Sequence, residues 1–543
     1  MPLKLRWLAL LCLAFLISAR SIGFDYSLDD TAHLNQAELN YQLPNLLFST
    51  STWPGNLYRP FFSATLVGGL AIHGDNPAGF HLLNCILYGL TIVSCYFLGR
   101  KLFNEDIAFL SSTIFCVIPI HSEVVGSIAF RTELLAAFFV VTSLNLLLKS
   151  NISKVRMLLA LVAIILGFLS KESSLTLLPL YLLCTNHLGW SFKETWVGLK
   201  LTLLGLIGYF AMRYNAIGTF LGGGFDSISY LDNPLVESEF LSRSSAALAL
   251  LGKYVAQTIA PHDLSIDYSH AKLASFYPST GPASMSFEAK FYLLTLLSLL
   301  FVGVANRNSS SRIGALWFLI AFSITCNIFV PIGTIFANRL AFLPSLGICW
   351  VIAGAVLKLK EPKTIALVST IVVLTYSARF YIELDKWEDS VTIGVSELES
   401  SPNSARVNFI YAVLLSKKGE FEKARMHLDK ALQIYPEYSN AWLQKGKIAL
   451  KEKKPKLAKR HLKRAYQKDH KSQEALIDLG RIYLEEGKLD LAGLLFTNAL
   501  NLNNYNQNAI VGLIKVFTKK GNTKQANKFK NLLTGIRGQT AVK

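Results

Sequence analysis

Eleven stretches of mainly apolar residues occupy the first 380 or so positions of this chain, and no other feature constrains its fold as tightly. They centre on residues 6–22, 80–98, 106–121, 132–148, 155–170, 173–187, 196–213, 287–304, 312–330, 341–357 and 363–381. A helix needs about 20 apolar residues to cross a bilayer, and inside it every backbone N–H and C=O must bond within the segment. The expectation is an all-α, multi-spanning membrane helix bundle of about eleven spans over residues 1–381. The first run has a basic start like a signal peptide, but ten further runs follow it, so it reads as an uncleaved anchor.

Charge orients the bundle. With a cytoplasmic N-terminus, the inner loops are "PLKLR", "GRKLF", "KSNISKVR", "ANRNSSSR" and "KLKEPK", each carrying at least two basic residues, as the positive-inside rule requires. The long stretches 24–79 and 214–286 fall on the other side and are net acidic. An odd number of spans then puts the C-terminal part outside the cytoplasm. The N-x-S/T sequons, at Asn151 and Asn308, lie in expected cytoplasmic loops, which tilts the reading towards a bacterial inner membrane over the endoplasmic reticulum. All seven cysteines fall inside apolar runs without metal-ligand spacing, so neither a disulfide framework nor a metal site is expected.

From residue 382 onward the composition changes, with 29 Lys/Arg against 17 Asp/Glu. Gly419, Lys453, Gly487 and Gly521 recur every 34 residues, in step with Ala424, Ala458, Ala492 and Ala526 and with Ala431, Ala465 and Ala499. This is the tetratricopeptide (TPR) period, in which small residues let paired helices stack into an α-solenoid. A connector over 382–403, about four repeats over 404–537 and a tail of 538–543 are expected. Such arrays bind extended polypeptide in a concave groove. The basic run "KEKKPKLAKRHLKRAYQKDHK" lacks the interleaved aromatics that stack on bases, so no nucleic-acid partner is expected.

Ionisable residues are costly at membrane depth and by default mark a functional cavity. Here they gather on the outer side: Asp29 and Asp30 in "FDYSLDD", Arg59 in "LYRPF", His121, Glu123, Arg131 and Glu133 in "IPIHSEVVGSIAFRTELL", Lys171 and Glu172 in "LSKESSL", and Asn327 and Arg339 in "NIFVPIGTIFANRLAFLPSLG".

Taken in order, these segments, with "FHLLN" after "YRP" and "KWEDSVT" before the repeats, resemble the transmembrane and tetratricopeptide-repeat-containing O-mannosyltransferases. These are polyprenyl-phosphate-sugar-dependent glycosyltransferases of the C-type fold. The chain departs from the family's usual residues at Ile118, Ser170, Asn338 and Phe342, where His, Cys, Glu and Tyr are usual. The resemblance implies transfer of a sugar, chiefly mannose, from a polyprenyl-phosphate carrier to a protein Ser/Thr hydroxyl. It makes Asp29 the base, with Asp30 the runner-up and orienter. A phosphate leaving group is already anionic and needs no general acid, unlike the leaving group of a glycosidase. Arg59, Lys171 and Arg339 are suited to hold that phosphate as it gathers charge. His121, Glu123, Arg131, Glu133 and Glu172 are expected to position sugar or acceptor, and no cofactor beyond the carrier-linked sugar is called for. Two other readings stay open: a non-catalytic membrane-anchored TPR scaffold, and a C-type enzyme acting on a glycan or lipid.

Overall fold

The computed structural model describes residues 3–39, 57–149, 151–220, 228–262, 264–269, 273–276, 285–305, 309–502 and 506–541. Among these residues the secondary structure is helix and turn, with no strand. The chain divides into two compact units, Met1–Glu397 and Leu398–Lys543.

The first unit is built from α1 (Leu3–Ser18), α2 (Asp30–Leu39), α3 (Pro60–His73), α4 (Pro77–Leu102), α5 (Glu105–Val117), α6 (Ser122–Gly126), α7 (Arg131–Leu147) and α8 (Lys154–Phe168). It continues with α9 (Leu177–His187), α10 (Phe192–Ile217), α11 (Phe240–Ile259), α12 (Phe287–Ala305), α13 (Ser309–Phe322), α14 (Phe342–Val356) and α15 (Pro362–Asp385). Helix α16 (Ser390–Ser400) straddles the boundary between the units.

Local chemistry sets many of these starts. Asn76 accepts from the Ala78 N–H ahead of Pro77, and Asn104 accepts from the Ile107 N–H with Glu105 and Asp106 in the first turn. Ser191 and Glu194 form a reciprocal capping box at the head of α10. Where α13 crosses α14, backbones meet directly: a Cβ on Gly314 would lie 2.3 Å from the Gly347 carbonyl oxygen. Small residues at such a crossing replace the hydrophobic drive that lipid cannot supply between helices.

All eleven apolar runs fall on helices, but among the described residues six helices are long and apolar enough to cross a membrane, or seven if one bent pair counts as a span. That pair, Glu105–Val117 with Pro119–Gly126, bends by 55°. Helices α7, α8, α9 and α13 have 17, 15, 11 and 14 residues. Thus eleven counts the apolar runs, not the spans, and fewer of their helices have spanning length. Interior neighbours can satisfy backbone groups that lipid would leave unpaired, so a buried helix can stop short where a lipid-facing one cannot. Helices α3 and α11 had no counterpart among the runs: α3 is a short apolar helix inside the stretch 24–79 assigned to the outer side, and Arg243, Lys253 and Gln257 interrupt the apolar pattern of α11. The sequon at Asn308 lies outside the described residues.

The expected connector is divided between the units. Trp387 is buried against Phe130, with ring centroids 5.7 Å apart. Glu397 accepts from Ser265 Oγ at 2.5 Å and from the Ile266 N–H at 2.9 Å.

The second unit holds four helix pairs: α17 (Ala405–Lys417) with α18 (Phe421–Ile434), α19 (Ser439–Lys451) with α20 (Pro455–Lys468), α21 (Gln473–Glu485) with α22 (Leu489–Leu502), and α23 (Gln507–Lys519) with α24 (Thr523–Ala541). The first helices begin at 405, 439, 473 and 507, 34 residues apart each time. Ala424, Ala458, Ala492, Ala431, Ala465 and Ala499 are all completely buried, as the close approach of paired helices demands.

Between the helices of each pair the chain turns through the left-handed region, at Gly419, Lys453, Gly487 and Gly521. Lys453 holds φ +59° where the other three repeats have glycine. A residue with a Cβ pays about 1 kcal/mol or more there. Lys453→Gly should therefore stabilise the repeat unit by about 1 kcal/mol, read as a higher denaturation midpoint for that unit. A lower midpoint would mean that the lysine side chain more than offsets its backbone cost.

Candidate active site

The outer-side segments of the sequence reading meet at one end of the first unit. Residues 24–30 are pinned there by the Asp25 N–H donating to the Glu388 carbonyl at 2.9 Å and the Leu28 N–H donating to Ser390 Oγ at 3.1 Å. Leu28 takes φ +43°, a conformation a leucine rarely adopts, immediately before the acidic pair. Strain of this kind persists only where its surroundings impose it.

The two aspartates have opposite surroundings. Asp30 is completely buried and accepts four hydrogen bonds: the Ser27 N–H and Oγ at 3.0 and 3.1 Å, Ser127 Oγ at 2.9 Å and the Ala129 N–H at 2.7 Å. Burial pushes its pKa above the usual carboxylate value, and the four donors act against that shift. It ties the opening segment to the α6–α7 turn. Asp29 is half-buried, and among the described residues its carboxylate has no hydrogen bond and no ion pair. One turn on, His33 feels both Asp29 and Arg59. Its pKa is pulled down to about 4, chiefly by burial and with help from Arg59, while Asp29 opposes the shift. The imidazole is therefore neutral near pH 7.

Each expected phosphate cation sits on a carboxylate expected to handle sugar or acceptor. Arg59 donates to Glu172 Oε2 through Nε at 3.0 Å and its terminal nitrogen at 2.8 Å. Lys171 is paired with Glu133, and both are almost fully buried. Arg339 donates to Glu123 through its guanidinium at 2.5 Å and its backbone N–H at 3.0 Å, with its guanidinium 4.3 Å from the centroid of the Phe130 ring. The side chains of Arg59 and Arg339 stay 20% and 23% exposed, against 8% for Lys171. Arg59 and Arg339 can thus reach a ligand without unfolding anything, whereas Lys171 is largely enclosed.

His121 and Arg131 have no exposed surface. His121 Nε2 is 2.9 Å from Ser345 Oγ, and its ring sits 4.6 Å from both Phe115 and Phe342. Arg131 donates to Asn84 Oδ1 at 2.7 Å, Thr65 Oγ1 at 3.2 Å and the Phe80 carbonyl at 2.9 Å. These contacts make both residues internal struts between helices. Asn327, at φ +61°, staples residues 327–335 through its side-chain amide.

Two further groups belong to this end. Arg213, at the end of α10, lies 3.6 Å from Glu172 Oε1 and donates to the Tyr209 hydroxyl at 3.1 Å. A cation closing a long apolar run was its signal in the sequence. His33 follows Asp29 by four residues, close to one helical turn. Among the described residues no cluster of three or more His, Cys, Asp or Glu could hold a metal ion.

A helical bundle with spans of membrane length, buried ion pairs at one end and an appended repeat array defines a multi-pass membrane protein with a TPR domain. Residues 58–212 match the family profile described as dolichyl-phosphate-mannose-protein mannosyltransferase, and residues 405–438 and 449–493 match tetratricopeptide repeat profiles. A Caenorhabditis elegans protein O-mannosyl-transferase is 26% identical over 453 residues, 79% of this chain and 63% of its own length. Human protein O-mannosyl-transferase TMTC3 is 22% identical over 467 residues, 78% of this chain and 50% of its own, and human TMTC1 is 24% identical over 71% of this chain and 48% of its own. Among solved structures the TPR protein YrrB covers 30% of this chain and 82% of its own, at 21% identity and a TM-score of 0.24. The chain is thus similar to the transmembrane and tetratricopeptide-repeat-containing proteins whose curated members are named protein O-mannosyl-transferases. It spans between about half and just under two-thirds of the length of those relatives.

Proposed function

We propose that this chain transfers a sugar, mannose by its family, from a polyprenyl-phosphate carrier to Ser/Thr hydroxyls of a polypeptide. The observation that carries the reading is the contrast within one dipeptide: Asp30 is buried with four donors, and Asp29 is half-buried with none among the described residues. A carboxylate kept out of hydrogen bonds at an ion-paired membrane face is available to take a proton. Asp29 accepts the hydroxyl proton as the acceptor oxygen bonds to C1. The C1–O bond to phosphate breaks, its electron pair leaves with the carrier phosphate, and C1 inverts. Arg59 and Arg339 face the growing negative charge, while Glu172 and Glu123 hold their guanidinium planes in place. The carrier's tail stays in lipid, so this chemistry belongs at the interface. The TPR unit would present the acceptor chain.

The topology that goes with this reading has a cytoplasmic N-terminus, with the face and the repeats on the other side of a bacterial inner membrane. Reporter fusions after residues 151 and 308 are expected to read cytoplasmic, and one after residue 400 non-cytoplasmic. A cytoplasmic reading after residue 400 would separate the repeats from the proposed face and sink the topology.

The activity itself is tested with the full-length protein in liposomes, supplied with polyprenyl-phosphate mannose carrying labelled sugar and a Ser/Thr-rich peptide. Label should appear on the peptide. Arg59→Ala removes a charge-assisted contact of about 1.5–3 kcal/mol, so transfer should drop about tenfold or more. No transfer by a folded wild-type protein with mannose, glucose or N-acetylglucosamine donors would leave the non-catalytic scaffold as the better reading.

A further inference from the structure

At the opposite end of the first unit, α4, α7 and α8 line an open cavity of about 550 Å³. Arg131 meets α4 at Phe80 and Asn84, while this cavity begins at Ser94 and ends at Lys101, so at 1.5 Å per residue it lies roughly 15–30 Å further along the helix. It is lined by three cations, Arg100, Lys101 and Arg156, and by no carboxylate. Glu105 pairs with Arg100 at 2.7 Å. Lys101 and Arg156 have no acidic partner among the described residues. Lys101 donates to the Asn145 carbonyl, and Arg156 donates to the Leu146 carbonyl at 2.7 Å and the Asn145 carbonyl at 2.6 Å.

Those carbonyls close the last turn of α7, so the two cations act in part as a helix cap. A cap satisfies hydrogen bonds, yet it leaves two full positive charges uncompensated, and it needs no cavity beside it. The Asn145 Oδ1, in the same lining, is buried and without a partner, whereas its amide nitrogen donates to the Ser94 carbonyl at 2.8 Å. The site therefore offers charge for an anion and one vacant acceptor for a hydroxyl donor. Apolar side chains lead away from it: Leu82, Ile86, Leu90 and Phe97 on α4 and Val155, Leu158, Leu159 and Val162 on α8 are all exposed. In a membrane protein such faces lie against acyl chains.

We propose that this cavity seats the headgroup of an anionic phospholipid, with the phosphate against Lys101 and Arg156, a headgroup hydroxyl at Asn145 and the acyl chains along α4 and α8. Basic pockets between membrane helices suit this chemistry, because each cation near the surface adds to the attraction for a lipid phosphate. Its role is to hold the α4–α7–α8 corner together, away from the transfer face.

The test is titration of the full-length protein in neutral detergent with dioleoyl-phosphatidylglycerol, dioleoyl-phosphatidylcholine and inorganic phosphate, with retained lipid read by native mass spectrometry. Phosphatidylglycerol should be held at least tenfold more tightly than phosphatidylcholine. Combining Lys101→Gln with Arg156→Gln should abolish that preference. Ser94→Phe, which fills the cavity and leaves the carbonyl contacts in place, should weaken phosphatidylglycerol about tenfold while the protein stays folded. Lys360→Gln with Lys363→Gln, on another basic loop, should leave the preference unchanged. The proposal is overturned if both lipids are held equally, if Ser94→Phe has no effect, or if millimolar inorganic phosphate displaces the lipid, which would make the site one for a soluble anion.

Discussion

Asp29→Asn should leave the protein as stable as the wild type and slow sugar transfer about 10²–10⁴-fold, the usual contribution of a general base. Stability should hold because, among the described residues, the Asp29 carboxylate makes no hydrogen bond or ion pair that the amide would lose. Affinity for the anionic donor should stay the same or tighten, since one negative charge has gone from its surroundings. The neighbouring substitutions calibrate the result. Asp25→Asn should behave nearly as wild type, because among the described residues its exposed carboxylate accepts only from the adjacent Tyr26 N–H at 2.7 Å. Asp30→Asn turns an NH₂ towards a site of four donors and should cost on the order of 1–3 kcal/mol of stability. Activity lost through Asp30 would thus come with a lower melting temperature, and activity lost through Asp29 would not. If Asp29→Asn transferred at more than half the wild-type rate, the base would have to be sought elsewhere, with His33 the first alternative.

The second large effect is on folding. Arg131 is a guanidinium with no solvent exposure, bonded to Asn84, Thr65 and the Phe80 carbonyl, and within electrostatic reach of Asp30. Arg131→Met keeps much of the volume but orphans three acceptors and removes the positive charge that faces Asp30. Removing one partner from a buried charged network costs roughly 3–5 kcal/mol, comparable with much of a protein's net stability. The expected result is a protein that aggregates on detergent extraction or melts far below the wild type, with Arg131→Lys intermediate. A variant that stays as stable as wild type but transfers poorly would return Arg131 to the sugar- or acceptor-positioning role first inferred from the sequence.

Much of the fold could be read directly, and the repeat unit shows why. Its 34-residue period recurs in the positions of Gly419, Lys453, Gly487 and Gly521, and the helix pairs keep the same beat. Each repeat packs mainly on its neighbours, so a local pattern carries the architecture. Apolar runs likewise located eleven membrane-unit helices, since hydrophobicity and backbone hydrogen bonding act along the segment itself. What those runs left out was α3, a short apolar helix, α11, where polar residues face the interior, and the lengths of the short helices, which end wherever neighbouring helices cover them.

The ion-paired face divides the same way. Residue types at membrane depth already singled out Asp29, Asp30, Arg59, Lys171 and Arg339, because an ionisable group there is expensive enough to need a reason. The sequence by itself thus determined which side chains gather at one end of the first unit and which repeat builds the second. Only the tertiary structure decided what each one meets. Arg59 meets Glu172 across 113 residues, Lys171 meets Glu133 across 38 and Arg339 meets Glu123 across 216. Adjacent in sequence, Asp29 and Asp30 part company because a helix start turns one carboxylate into Ser127 and the Ala129 N–H and leaves the other facing outward. No periodicity along the chain encodes such pairings. They follow from which helix ends the packing brings together, and an ionisable group's role is set by the charge and the donors it meets there.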